Sequence, residues 1–91
     1  MFLLNAFSLQ MVETPCSVKF TEVNSLPEGL TSAIGHQDTA NVLGVPMNRM
    51  NVHLSKGDVA FVAQLMGGRL PEGSTSLPEG FHFKFIKVEV M

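Results

Sequence analysis

Only one segment of this 91-residue sequence has the signals of a helix, and the other apolar runs have the period of β-strands. Thr31 or Ser32 can cap the start of that segment. Gly44 follows its last apolar residue and Pro46 prevents its continuation, so we predict a helix over 31–43. Three apolar side chains and one histidine share a stripe of this helix: Ala33, His36, Ala40 and Leu43.

Five other segments have the pattern of strands: 2–4, 17–21, 48–54, 59–65 and 81–90. We expect 48–54 and 59–65 to pair as an antiparallel hairpin, with Met50 on the same face as Val52 and Leu54. In the last strand the apolar parity changes at 85–86. This change predicts either a bulge or burial on both faces in turn. The predicted fold is a single α+β domain over 1–91, a mixed sheet of about five strands with one main helix packed on it.

A chain of this length buries only about 60–65% of the surface that it exposes when unfolded. Cys16 is the only cysteine, so no internal disulfide can supplement this small core, and the chain suits a reducing compartment such as the cytoplasm. The apolar start is interrupted at Asn5, too early for a signal or membrane segment, and no membrane partner is expected. Additional burial is expected from a partner.

The charge pattern argues against binding of long nucleic acids. The formal net charge is −2, with six lysines and arginines in total, so no general basic field exists to hold DNA or a long RNA. Arg49 and Arg69 are the only arginines. A small anionic ligand bound in one pocket is still compatible with this composition.

Common catalytic motifs are absent from the sequence. The three histidines lie on different predicted elements and no paired cysteines accompany them, so we expect no metal site. The glycines do not have the spacing of a P-loop, a dinucleotide fingerprint or a nucleophile elbow, and no cofactor is expected.

The remaining candidates are polar residues at the ends of predicted elements: Asn5, Ser8, His36, Arg49, Gln64, Arg69 and Glu72. Gly35 beside His36 would let a phosphate approach the start of the predicted helix. Composition alone favours simpler interpretations. His36 would then be a satisfied histidine beside Ala33 and Ala40, each arginine a solvated charge, and Glu72 a local ion-pair partner of Arg69.

Four short motifs occur in a characteristic order along nearly the whole chain: Asn5-Ala6-Phe7-Ser8, Ser32-Ala33-Ile34-Gly35-His36, Pro46-Met47-Asn48-Arg49 and Arg69-Leu70-Pro71-Glu72-Gly73. In this order the sequence resembles the viral ring nucleases that act as anti-CRISPR proteins against type III systems. It departs from that family in two shortened stretches, one before the helix and one after the last motif. The second departure leaves little chain for a lid over a ligand.

The resemblance implies a two-fold dimer that binds cyclic tetra-adenylate and cleaves it, without a metal, to linear di-adenylates with 2′,3′-cyclic phosphate ends. It implies a general acid in His36, a phosphate-stabilising group in Arg69, and in Glu72 a group that orients one of these two or supports the ribose. The helix N-terminus would also stabilise phosphate. Ring-binding positions would be Asn5, Ser8, Gly35, Arg49 and Gln64.

Two other functions are compatible with the sequence. The shortened stretches and the lack of a second catalytic acid fit a binding protein that sequesters a cyclic oligonucleotide without cleaving it. The acidic balance fits a small regulatory or structural dimer without a nucleotide ligand.

Overall fold

A computed structural model describes residues 1–91 and is built on one mixed five-stranded sheet. Its elements are β1 (Phe2–Leu4), a 3-10 helix (Leu9–Met11), β2 (Val18–Val23), β3 (Thr31–Ile34), α1 (Gln37–Leu43), β4 (Val59–Met66) and β5 (His82–Val90). The strand order is β2-β5-β4-β1-β3. β1 is parallel to β3 and β4, whereas β5 is antiparallel to β4 and β2. The predicted α+β class, with about five strands and one main helix, is confirmed.

The short strand β1 is buried on both faces of the sheet. Leu3 is fully buried in one apolar cluster with Leu30 and Phe61, and Leu43 of α1 packs against that cluster. Leu4 is fully buried in the other cluster, which the 48–54 segment helps to cover. The start of the chain is an uninterrupted apolar run because neither face of this strand meets water.

The helix is shorter than predicted. Residues 31–34 form β3, where the Thr31 amide donates to the Met1 carbonyl at 3.1 Å, so pairing with β1 overrides the local helix signals. The helix begins at Gln37 with His36 as its N-cap residue, and the stripe predicted to contain His36 does not exist. The predicted end is confirmed, because Gly44 adopts a left-handed φ of 69° there.

The predicted hairpin between 48–54 and 59–65 is wrong. β4 pairs instead with β5 along its whole length and with β1 on its other side. The 48–54 segment is extended but forms no strand, and Leu54 makes only an isolated bridge to Val12. Val52 and Leu54 are buried as expected, whereas Met50 is 45% exposed. Both edges of β4 are hydrogen-bonded, one to β1 and the other to β5, so neither edge is left for 48–54.

β5 contains no bulge, because its register with β2 and β4 is continuous. Phe83 and Phe85 pack against the cluster around Leu3, while Val88 and Val90 belong to the other cluster. Of the two alternatives from the sequence, burial on both faces in turn is correct. No helix of the structure has the length and apolar character required to cross a membrane.

Candidate functional site

A cleft of about 610 Å³ lies where the parallel strands β3, β1 and β4 direct their carboxyl ends. Ligand sites of α/β sheets commonly occupy this position, because chain segments leaving neighbouring strands diverge there and leave a crevice. Twelve residues line the cleft: Asn5, Ala6, His36, Asp38, Thr39, Ala63, Gln64, Leu65, Gly68, Arg69, Leu70 and Phe83.

Four residues singled out from the sequence meet in this cleft. Asn5 directly follows β1, and His36 lies between β3 and α1. Gln64 is on β4, and Arg69 follows that strand after the Gly67-Gly68 pair. Tertiary pairing of the strands therefore brings together side chains that are up to 64 positions apart in the sequence.

Asn5 is held at the end of β1 by contacts with β3 and α1. Its backbone amide donates to the Ile34 carbonyl at 2.9 Å, and its side-chain Nδ2 donates to Thr39 Oγ1 at 3.4 Å. Its Oδ1 is buried and has no hydrogen-bond partner. The Nδ2 of this side chain is therefore bound by the protein, whereas its Oδ1 is a buried acceptor without a partner.

Gly35 has a steric role that the sequence did not predict. Its φ is +145°, and a Cβ at this position would lie 2.6 Å from Asn5 Oδ1. Gly35 does not line the cleft. The missing side chain makes room for Asn5, and Gly35 lines a separate depression together with Arg49.

His36 is exposed and makes no side-chain hydrogen bond to the start of α1. The interpretation of this residue as a satisfied histidine packed beside Ala33 and Ala40 is therefore wrong. Arg69 is also exposed, and no ion pair joins it to Glu72. Both side chains are free to meet a ligand in the cleft.

Besides Gly35, three of the predicted site residues lie outside the cleft. The hydroxyl of Ser8 accepts from the Gln10 amide at 3.2 Å and caps the 3-10 helix. Arg49 lines a separate, shallow depression together with Gly35. Glu72 is exposed on the turn after Arg69.

Sequence reasoning missed other residues that line the cleft. Asp38 and Thr39 lie at the start of α1, and three large apolar side chains form what we call the apolar wall. The wall consists of Leu65, Leu70 and Phe83. Asp38 had a signal, its position two residues after His36, but the helix predicted over 31–43 placed Asp38 in its middle. Phe83 had none, because nothing local indicates that β5 lies beside β4.

The cleft offers cationic and hydrogen-bonding groups together with apolar side chains. Arg69 can bind phosphate oxygens with two parallel N–H donors, and the imidazole of His36 can accept or donate a proton. The apolar wall suits a nucleobase. No group of three or more His, Cys, Asp and Glu side chains is arranged to hold a metal ion.

The fold and cleft define a small α+β protein whose polar groups gather at the carboxyl ends of three parallel strands. The model of the STIV B116-like family matches residues 1–84, and the chain belongs to this viral protein family. It is also similar to the solved structure of B116 of Sulfolobus turreted icosahedral virus. The two share 26% sequence identity with a TM-score of 0.71, over 97% of each chain. No curated protein matched the sequence.

Proposed function

We propose that this protein is a viral ring nuclease that cleaves cyclic tetra-adenylate into linear di-adenylates with 2′,3′-cyclic phosphate ends. Removal of this messenger would block type III CRISPR immunity in the cytoplasm of the host cell. The observation that carries the proposal is the meeting of Asn5, His36, Gln64 and Arg69 in one cleft. The motif order and membership of a viral family support it.

The proposed reaction uses chemistry internal to RNA and needs no metal. The ribose 2′-oxygen attacks the adjacent phosphorus, and the bond from phosphorus to the 5′-oxygen breaks. His36 would give its proton to the departing 5′-oxygen, and Arg69 would offset the charge that develops on the phosphate. Glu72 would act from the turn after Arg69, by orienting Arg69 or His36 or by supporting the ribose.

The remaining candidates would bind the ring. Asn5 and Gln64 would contact the nucleotide inside the cleft that they line. Ser8 and Arg49 would contact only parts of the ring that extend beyond the cleft. A two-fold dimer would present two equivalent clefts to one ring, because an isologous arrangement repeats every contact.

The decisive test is cleavage of cyclic tetra-adenylate in the presence of EDTA, with wild-type protein and two histidine variants. Loss of a general acid typically lowers a rate by about 10²–10⁴-fold, which is the reduction expected for His36→Ala. His53→Ala is the matched control, because His53 is also exposed but lies outside the cleft. Equal turnover by His36→Ala and wild type would remove His36 from the mechanism.

A second candidate function is sequestration of the ring without cleavage. It is favoured by the lack of a hydrogen bond that orients His36 and by the position of Glu72 outside the cleft. Recovery of intact ring after long incubation with stoichiometric protein would support sequestration. Linear products would exclude it.

A further inference from the structure

Asp38 is a carboxylate that the mechanism above does not use. It is half-buried, lines the cleft and belongs to the first turn of α1. The structure gives its side chain neither a hydrogen bond nor an ion pair, and both ion pairs of the protein lie elsewhere. The start of a helix favours such a carboxylate, and because no protein group occupies its oxygens, they can accept a hydrogen bond from a ligand bound in the cleft.

The chemistry of the cleft restricts what this donor can be. A carboxylate repels phosphate, so Asp38 must face another part of a bound nucleotide. A nucleotide of the proposed substrate has two kinds of donor, the ribose 2′-hydroxyl and the adenine amine. Asp38 is two residues from His36, whereas the apolar wall that suits the base comes from β4, β5 and the loop after β4. Since His36 would act at the reacting phosphate, Asp38 should meet the donor that lies next to this phosphate, which is the ribose 2′-hydroxyl.

We propose that Asp38 is a further catalytic residue that contacts the 2′-hydroxyl of the nucleotide being cleaved. This inference rests on the proposed function. The Asp38 carboxylate accepts a hydrogen bond from this hydroxyl and takes the proton as the 2′-oxygen attacks phosphorus. The bond from the 2′-oxygen to phosphorus forms while the bond to the 5′-oxygen breaks, and His36 protonates that oxygen. Asp38 ends protonated and His36 neutral, and exchange with water restores both.

The test compares wild type with Asp38→Asn, which keeps the shape of the side chain and removes its charge. We expect the single-turnover rate on cyclic tetra-adenylate to fall by about 10²–10⁴-fold, the usual effect of losing a general base. Asp38→Glu should recover part of this rate, because it restores a carboxylate. Glu13→Gln is the matched control, since it removes the same charge from an exposed residue outside the cleft and should leave the rate within about twofold.

A binding measurement separates ribose contact from a structural role in α1. With His36→Ala protein to keep the ring intact, cyclic tetra-adenylate should bind about tenfold more tightly than cyclic tetra-2′-deoxyadenylate, as expected for a charged hydrogen bond. Adding Asp38→Asn should weaken this preference, because a neutral amide oxygen accepts a weaker hydrogen bond than a carboxylate does. If Asp38→Asn fails to fold, Asp38→Ser, which keeps an oxygen at the start of the helix, serves in the same comparison.

The outcomes distinguish this inference from the proposed function. If wild type cleaves the ring and Asp38→Asn keeps either the wild-type rate or the full preference for ribose, the inference is overturned and the proposed function stands. If wild type neither binds nor cleaves the ring, the proposed function itself fails, and the inference fails with it.

Discussion

At the residue scale, the position of the Asn5 side chain depends on the absence of a side chain at Gly35. Gly35 leaves the space that the Asn5 side chain fills, and Asn5 in turn reaches Thr39 across the start of α1. This contact connects the ends of β1 and β3 to the helix that carries Asp38. The geometry of the cleft therefore depends on a residue that does not line it.

Replacing Gly35 by alanine should reduce the free energy of unfolding by about 2–4 kcal/mol, because the positive φ is strained and the new Cβ meets Asn5. Gly29→Ala is the control. Gly29 also has a positive φ, of 83°, but a Cβ added there would meet nothing within 4 Å, so a loss of only about 1 kcal/mol is expected. Urea denaturation measures both, and equal losses would show that the Asn5 contact is unimportant.

At the scale of elements, β1 organises the sheet although it has only three residues. It lies between β3 and β4, and its two leucines anchor the two apolar clusters. The ends of its neighbours then define the cleft. Loss of packing at β1 should therefore affect the whole domain.

Leu3→Ala should lower the free energy of unfolding by about 2–5 kcal/mol, because it leaves a cavity beneath α1. Leu9→Ala is a matched control, since Leu9 is 70% exposed on the 3-10 helix and its truncation should cost at most about 0.5 kcal/mol. Denaturant midpoints compare the two variants. Similar midpoints would contradict the central role of β1.

At the scale of the whole molecule, the core is small for an independent domain. Only 16 of the 91 residues are buried, and several large apolar side chains are exposed, among them Phe20 at 56%. Such a chain gains stability by burying further surface against a partner. The two-fold dimer of the proposed function would supply that burial.

Sedimentation equilibrium at micromolar concentration should give twice the chain mass of 9.9 kDa. Titration with cyclic tetra-adenylate, using His36→Ala protein, should saturate at one ring per two chains, because a symmetric ring would contact both clefts. A monomer that binds one ring per chain would contradict the dimeric part of the proposal.

Much of the candidate site could be predicted from the sequence because its polar residues stand at the ends of apolar runs. Asn5, His36, Gln64 and Arg69, four of the candidates that the sequence offered, line one cleft, and their roles stay predictions. The ring-binding role of Gly35 stays a prediction, and the structure adds that the space beside its backbone holds the side chain of a residue 30 positions away. Asp38 was missed because the helix was predicted to start at residue 31. Asp38 in fact lies in the first turn of the helix, which begins at Gln37.

The sequence by itself determined the class of the fold, the two-sided burial of β1 and the end of the helix at Gly44, whereas for β5 it left two alternatives between which the strand register decided. These features depend on side-chain pattern and local backbone preference, which neighbours in the chain specify. Tertiary structure alone decided that residues 31–34 form a strand, that β4 pairs with β1 and β5, and that Asp38 faces the cleft. Strand pairing joins backbone groups that are distant in the chain, and the total burial of the sheet decides which pairs form.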